Sequence, residues 1–117
     1  MIDILYTWVD KIKSNNANDV ANLYHQDGLL LGTFSNSERK GKEQILDYFN
    51  KLFNSKISVE IKTKHIHETK SLSTVSGLYN FTVDNRIMEA RFSFVFLKVN
   101  HKWKIISHHS SLMPNKN

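Results

Sequence analysis

The chain contains no cysteine, which excludes disulfides, thiolate nucleophiles and cysteine-ligated zinc, and leaves stability to packing. No stretch approaches the roughly 18 consecutive apolar residues that a membrane span requires, and Asp3 sits where a signal peptide would carry positive charge. These absences point to a soluble, cytoplasmic protein without a membrane partner. A Gly-rich phosphate loop, a nucleotide fingerprint and a Ser-His-Asp ordering are also missing, so no cofactor is expected. There is no internal repeat, linker or low-complexity segment. The 117 residues, with an ordinary apolar share, suit a single domain over 1–117 with one hydrophobic core.

What is present begins with charge. The formal net charge is +5, but the lysines are scattered and form no dense run. A solvated surface accounts for them, and no nucleic-acid partner is expected.

In the first segment Ile2, Leu5, Tyr6, Trp8, Val9 and Ile12 recur at three- and four-residue steps, the pattern of one buried helix face. The polar stretch 14–18 interrupts it. Asn18 or Asp19 then caps a second short helix through Val20, Ala21, Leu23 and Tyr24, stopping near Asp27 and Gly28. Leu29 to Leu31 read as a buried strand, and 35–40 as an exposed polar loop. After Gly41 the set Ile45, Leu46, Tyr48, Phe49, Leu52 and Phe53 resumes helical spacing, with Glu43 early and Lys51 late as the helix dipole favours.

From Ser55 the period changes to two. Strands are expected near 57–67, 72–83, 88–99 and 103–112, with turns at 68–71, 84–86 and 100–101. Helices followed by a strand meander make an α+β fold, with the N-terminal helices packed on a curved antiparallel sheet.

If Asn100 and His101 are the centre of a tight hairpin, Val99 opposes Lys102, Ser93 opposes His108 and Arg91 opposes Ser110. Arg91, Ser93, Val95, Ile106, His108 and Ser110 then share one face; Phe92, Phe94, Phe96, Trp103, Ile105, Ser107 and His109 share the other. A one-residue bulge would exchange these faces. Both carry apolar surface, so the face away from the helices needs a cover. A second copy of the chain supplies it and makes a homodimer; a surplus of surface aromatics, or cover by the chain's own first helix, is the alternative.

The run Ala90-Arg91-Phe92-Ser93-Phe94-Val95-Phe96, then 102–111 (Lys102-Trp103-Lys104-Ile105-Ile106-Ser107-His108-His109-Ser110-Ser111) and Pro114 resembles the C-terminal hairpin of the association (hub) domain of calcium/calmodulin-dependent protein kinase II and of small free-standing bacterial relatives. The resemblance extends to the Trp-bearing first helix, to Asp27-Gly28 before a strand, to Gly41 opening a helix with Tyr48-Phe49, and to His65-Ile66-His67. It implies the cone-shaped nuclear-transport-factor-2-like (SnoaL-like) fold, commonly dimeric, around an internal pocket. That superfamily includes isomerases, cyclases, dehydratases, transport factors and oligomerisation domains, so the resemblance implies function less sharply. It also implies that Arg91 falls on a position where hub arginines hold a small carboxylate. Ser110 stands where another hub arginine often sits, and the strand near Tyr79 and Asn80 offers none.

The candidate ligand-binding residues are therefore Arg91, His108, Tyr79, Ser110, Ser93, Tyr48 and Trp8, facing a small, anionic or carbonyl-bearing molecule. Each has a plainer alternative. Arg91 can be a structural ion pair with Glu89 or Asp27. His108 can act in acid-base chemistry or be a hydrogen-bonded structural histidine. Tyr79, Tyr48, Trp8 and Phe53 can be pocket wall or core. The resemblance also points to Asp27 as a general base, against simple turn chemistry with Gly28. His108 and His109 point to opposite faces and cannot share a metal; His65 and His67 share a face but lack a third ligand. No metal site is expected. Three functions remain open: a small-molecule-binding and oligomerising domain, a proton-transfer enzyme of isomerase, cyclase or lyase type, and an assembly module for a partner protein.

Overall fold

The structure, a computed structural model, describes residues 2–115, with Ile2 described by its backbone alone. Helix α1 (Ile2–Ser14) turns its Leu5, Trp8 and Ile12 face inward; Tyr6, expected on that face, is exposed instead. The short α2 (Ala17–Ala21) is capped by Asn16, whose side chain accepts from the Asp19 amide, not by Asn18 or Asp19.

The chain then departs from the sequence expectation. Leu23 and Tyr24 do not prolong α2: β1 runs Tyr24–Leu31. It pairs antiparallel with the two-residue β2 (Arg39–Lys40), inside the expected loop, and parallel with β7 (Lys102–Leu112). Parallel pairing with a strand some eighty residues away stabilises an extended backbone where the local pattern favours helix. Helix α3 (Lys42–Leu52) follows, burying Ile45, Tyr48 and Phe49.

The expected strand over 57–67 is two strands, β3 (Ile57–Ile61) and β4 (His65–Glu68). Both pair antiparallel with β5 (Leu72–Val83), on successive halves of its length. Strand β6 (Arg86–Val99) lies between β5 and β7. The turns before β6 and β7 place Asp84, Asn85, Asn100 and His101 at positive φ, as two-residue type I′ hairpins require. The seven strands form one mixed sheet in the order β2-β1-β7-β6-β5-β3, with β4 on β5. The inner face of β5, β6 and β7 supplies Val75, Tyr79, Phe81, Phe92, Phe94, Phe96 and Ile105 to the same buried core as α1 and α3.

The β6-β7 hairpin starts in the expected register, Val99 opposite Lys102 and Phe96 opposite Ile105. Beyond that Val95 opposes Ser107, so Ile106 is an extra residue. This bulge exchanges the faces past it. His108 and Ser110 now lie opposite Phe94 and Phe92, pointing into the core, while Arg91 and Ser93 oppose Ser111 and His109 and point outward. The expected shared face of Arg91, Ser93, His108 and Ser110 is corrected accordingly.

Candidate functional site: a buried polar chain and the cavities around it

Four of the residues singled out from sequence do meet, inside the core. His108 is 2 % exposed. Its imidazole stacks on Phe94 with ring centroids 3.9 Å apart, and Trp8 meets it edge-on. In a site this dry each polar atom needs a partner, and each has one. Trp8 Nε1–H donates to the Tyr24 hydroxyl at 3.2 Å, and Tyr24 Oη lies 2.8 Å from His108 Nδ1. On the other side His108 Nε2 lies 3.2 Å from Tyr79 Oη. Tyr79 donates to Ser110 Oγ at 2.5 Å, and Ser110 Oγ lies 2.5 Å from Thr33 Oγ1.

The proton positions follow from this connectivity. Tyr79 gives its one proton to Ser110 and so accepts from His108 Nε2, which leaves Nδ1 bare to accept the Tyr24 proton, while Tyr24 Oη accepts from the indole N–H, which can only donate. The imidazole then carries its proton on Nε2 and donates to Tyr79, which donates onward to Ser110. Donation runs one way along the chain. Burial, and secondarily the neighbouring His109, depresses the His108 pKa to about 3, so the ring is neutral. Burial raises both tyrosine hydroxyls, with the Trp8 bond opposing this at Tyr24 and the Ser110 bond at Tyr79. All the groups are locked neutral, and the chain ties α1, β1, β5, β7 and the segment after β1 together.

The remaining candidates lie elsewhere. Asp27 sits in β1 with its side chain 73 % exposed, 4.0 Å from His25 Nδ1. Arg91 and Ser93 are exposed on the outer face, and none of the four ion pairs among the described residues includes Arg91. Asp27, His108 and Arg91, the set considered for proton transfer, thus surround no common point. The inward positions of β6 are Ala90, Phe92, Phe94 and Phe96, so aromatic rings fill the space where a pocket arginine was expected.

Tyr48 stands apart from the polar chain, beside an open cavity of about 260 Å³ that Phe34, Arg39, Lys51, Leu52 and Val83 also line. Arg39 Nη1 donates to Asp47 at 2.6 Å and Nη2 to Ser35 at 3.3 Å, with the guanidinium 5.8 Å from the centre of the Tyr48 ring. The Arg39 bond, then that of Lys51, holds the Asp47 carboxyl below its usual range. Burial pushes the Tyr48 hydroxyl up. Arg39 Nε is buried with no hydrogen-bond partner among the described residues. Sequence reasoning missed Tyr24, Thr33 and Arg39. Tyr24 was concealed by a helix-like spacing, and Arg39 by lying in a polar segment that reads as solvent-exposed loop.

The family profile of the calcium/calmodulin dependent protein kinase II association domain matches residues 1–114. The chain belongs to this family. A crystal structure from Xanthomonas campestris, named for the same association domain, is 34% identical, covers 98% of this chain and 87% of its own, and superposes with a TM-score of 0.91. An NTF2-like protein of unknown function from Pseudomonas putida KT2440 superposes with a TM-score of 0.84 at 13% identity, over 93% of this chain and 81% of its own. A ketosteroid isomerase-like protein from Erwinia carotovora atroseptica gives 0.78 at 15% identity, over 97% and 93%. These two show the fold alone, which is NTF2-like. No curated protein sequence matches. Among the described residues no helix is long and apolar enough to cross a membrane.

Proposed function

We propose that this association-domain chain is a self-assembling unit that pairs with a second copy through the sheet face turned away from the helices. The composition of that face carries the reading. In register across five strands, His65, Ser76, Ser93, His109 and Leu31 form one row, and His67, Thr74, Val95, Ser107 and Leu29 the next. A chain with 16 lysines and arginines and 11 acidic residues puts none of them in these two rows. Leu72 and Leu78, 43% and 37% exposed, flank them. Depletion of charge at the centre, with apolar residues beside it, marks an interface core better than a water-facing sheet. Equilibrium sedimentation at micromolar concentration is expected to show a dimer or larger closed assembly. Ser93→Arg, at the middle of the face, is expected to release folded monomers. A monomeric wild type rejects the reading.

A second reading, that the domain also binds a small molecule, has its own support in the unpartnered Nε of Arg39. The cavity beside it combines Arg39 and Lys51 with Phe34, Tyr48, Leu52 and Val83, and Asp47 offsets one of the two positive charges. A monoanion with an apolar body suits this balance. Titration calorimetry with benzoate is the test: binding is expected in the wild type and is expected to be lost in Arg39→Met. Equal heats from both proteins reject the site.

A further inference from the structure

A separate cavity of about 390 Å³ opens where the beginning of β1, the first residue of α3 and the β6-β7 turn come together. Lys42, Lys102 and Lys104 line it beside Gln26 and Asn100, and among the described residues no aspartate or glutamate does. None of the four ion pairs among the described residues includes any of the three lysines. Lys104 Nζ donates to the Asn22 carbonyl at 2.7 Å, which orients the ammonium without neutralising it. Its pKa is lowered, first by burial and then by repulsion from Lys42 and Lys102, so the gathering of these cations is unfavourable on its own. Nor does the helix explain Lys42, because a cation in the first turn opposes the dipole.

We infer that this cavity binds a phosphomonoester of a small polar molecule. Three ammoniums facing one carboxylate would retain two positive charges, whereas a phosphomonoester dianion leaves one. Lysines act as mobile point charges and need no planar, bidentate partner, which also fits a tetrahedral oxyanion. Gln26 and Asn100, which also line the cavity, carry amides able to hydrogen-bond the hydroxyls of the organic part, and the volume suits a small metabolite. Lys102 and Lys104 lie at one end of the outer sheet face, but the site shares no residue with the two central rows of that face or with the Arg39 cavity, so substitutions can test it apart from both.

The test is an amide NMR titration at constant ionic strength with inorganic phosphate, with glycerol 3-phosphate, and with chloride alone. Saturable shifts at Lys102 and Lys104 are expected with both phosphates, about threefold tighter for the ester. Lys102→Gln/Lys104→Gln is expected to weaken binding about tenfold or more, while Lys13→Gln on α1 leaves it unchanged. Shifts that rise without saturation, that chloride reproduces, or that persist in the double variant overturn the proposal. An ester no tighter than phosphate overturns the monoester assignment. If the double variant does not fold, the Lys104 side chain of the wild type decides: its pKa is expected to rise on addition of glycerol 3-phosphate, and an unmoved pKa overturns the site.

Discussion

The Tyr24 hydroxyl lies 2.8 Å from Nδ1 of His108, a residue 84 positions further along the chain. Both residues are buried, and the bond spans β1 and β7 where the two strands run parallel. A parallel pair cannot be closed by a short turn. Side-chain links of this kind therefore help fix which strand β1 joins and in what register.

Tyr24→Phe keeps the ring and removes the link. It leaves Trp8 Nε1–H without an acceptor and His108 Nδ1 without a donor. Stranding a buried polar group costs about 1–3 kcal/mol, so a loss of roughly 2–4 kcal/mol is expected in urea unfolding. Tyr79→Phe is expected to cost less, because Ser110 keeps Thr33 as a partner. Tyr48→Phe should cost least, since its hydroxyl only accepts a 3.4 Å bond from the Phe34 amide. A series in which Tyr48→Phe is the most damaging would show that the chain is not what holds the core.

Protonation of His108 gives a second expectation. Its folded pKa is about 3 and its unfolded value about 6.5. Between these the unfolded state binds the extra proton, so stability rises with pH, by up to about 1.4 kcal/mol per pH unit for this one group. The contribution is complete above about pH 6.5 and is lost progressively as pH falls toward 3. Urea midpoints from pH 4 to 7 measure it, taken as the difference between wild type and His108→Gln. A difference that is flat with pH would mean that His108 is not buried in its neutral form.

How far these features were legible in the sequence depends on how local their causes are. Helices α1 and α3 were legible because a buried stripe has a period the eye can count, and Asn100-His101 because residues tolerating positive φ mark a hairpin. Tyr24 was not legible. Val20, Ala21, Leu23 and Tyr24 have helical spacing, and only the distant β7 makes the last of them a strand. The bulge at Ile106 was equally hidden, since Ile105 and Ile106 are both apolar and suit either face. That single residue decides the site. It moves His108 and Ser110 into the core and turns Arg91 out, reversing a pocket that the hairpin register alone supports.

The turn at Asn100-His101 supplies a change expected to stabilise. His101 has φ 67°, a left-handed conformation that costs a residue with a Cβ about 1 kcal/mol or more. Glycine relieves it but adds freedom to the unfolded chain. His101→Gly is therefore expected to gain only about 0.5 kcal/mol, read as a small rise in melting temperature. A fall would mean that the His101 side chain contributes to the turn in a way its backbone geometry does not reveal.

Of the glycines, Gly77 leaves the least room for a side chain. It lies on β5 between the segments that pair with β4 and with β3, where the chain crosses from one to the other. There the Lys62 and Thr63 amides both donate to the Leu78 carbonyl, and the Leu78 amide donates to Thr63 Oγ1. A Cβ at Gly77 would collide with the Thr63 carbonyl oxygen and lie 3.1 Å from Lys64 Cα. These are backbone atoms, and moving them breaks the bonds to Leu78. Gly77→Ala is expected to cost about 1–3 kcal/mol and to raise hydrogen exchange at Lys62 and Thr63 before it affects the β6-β7 hairpin. Unchanged exchange at those two amides, with full stability, would mean that the crossover can move aside without loss.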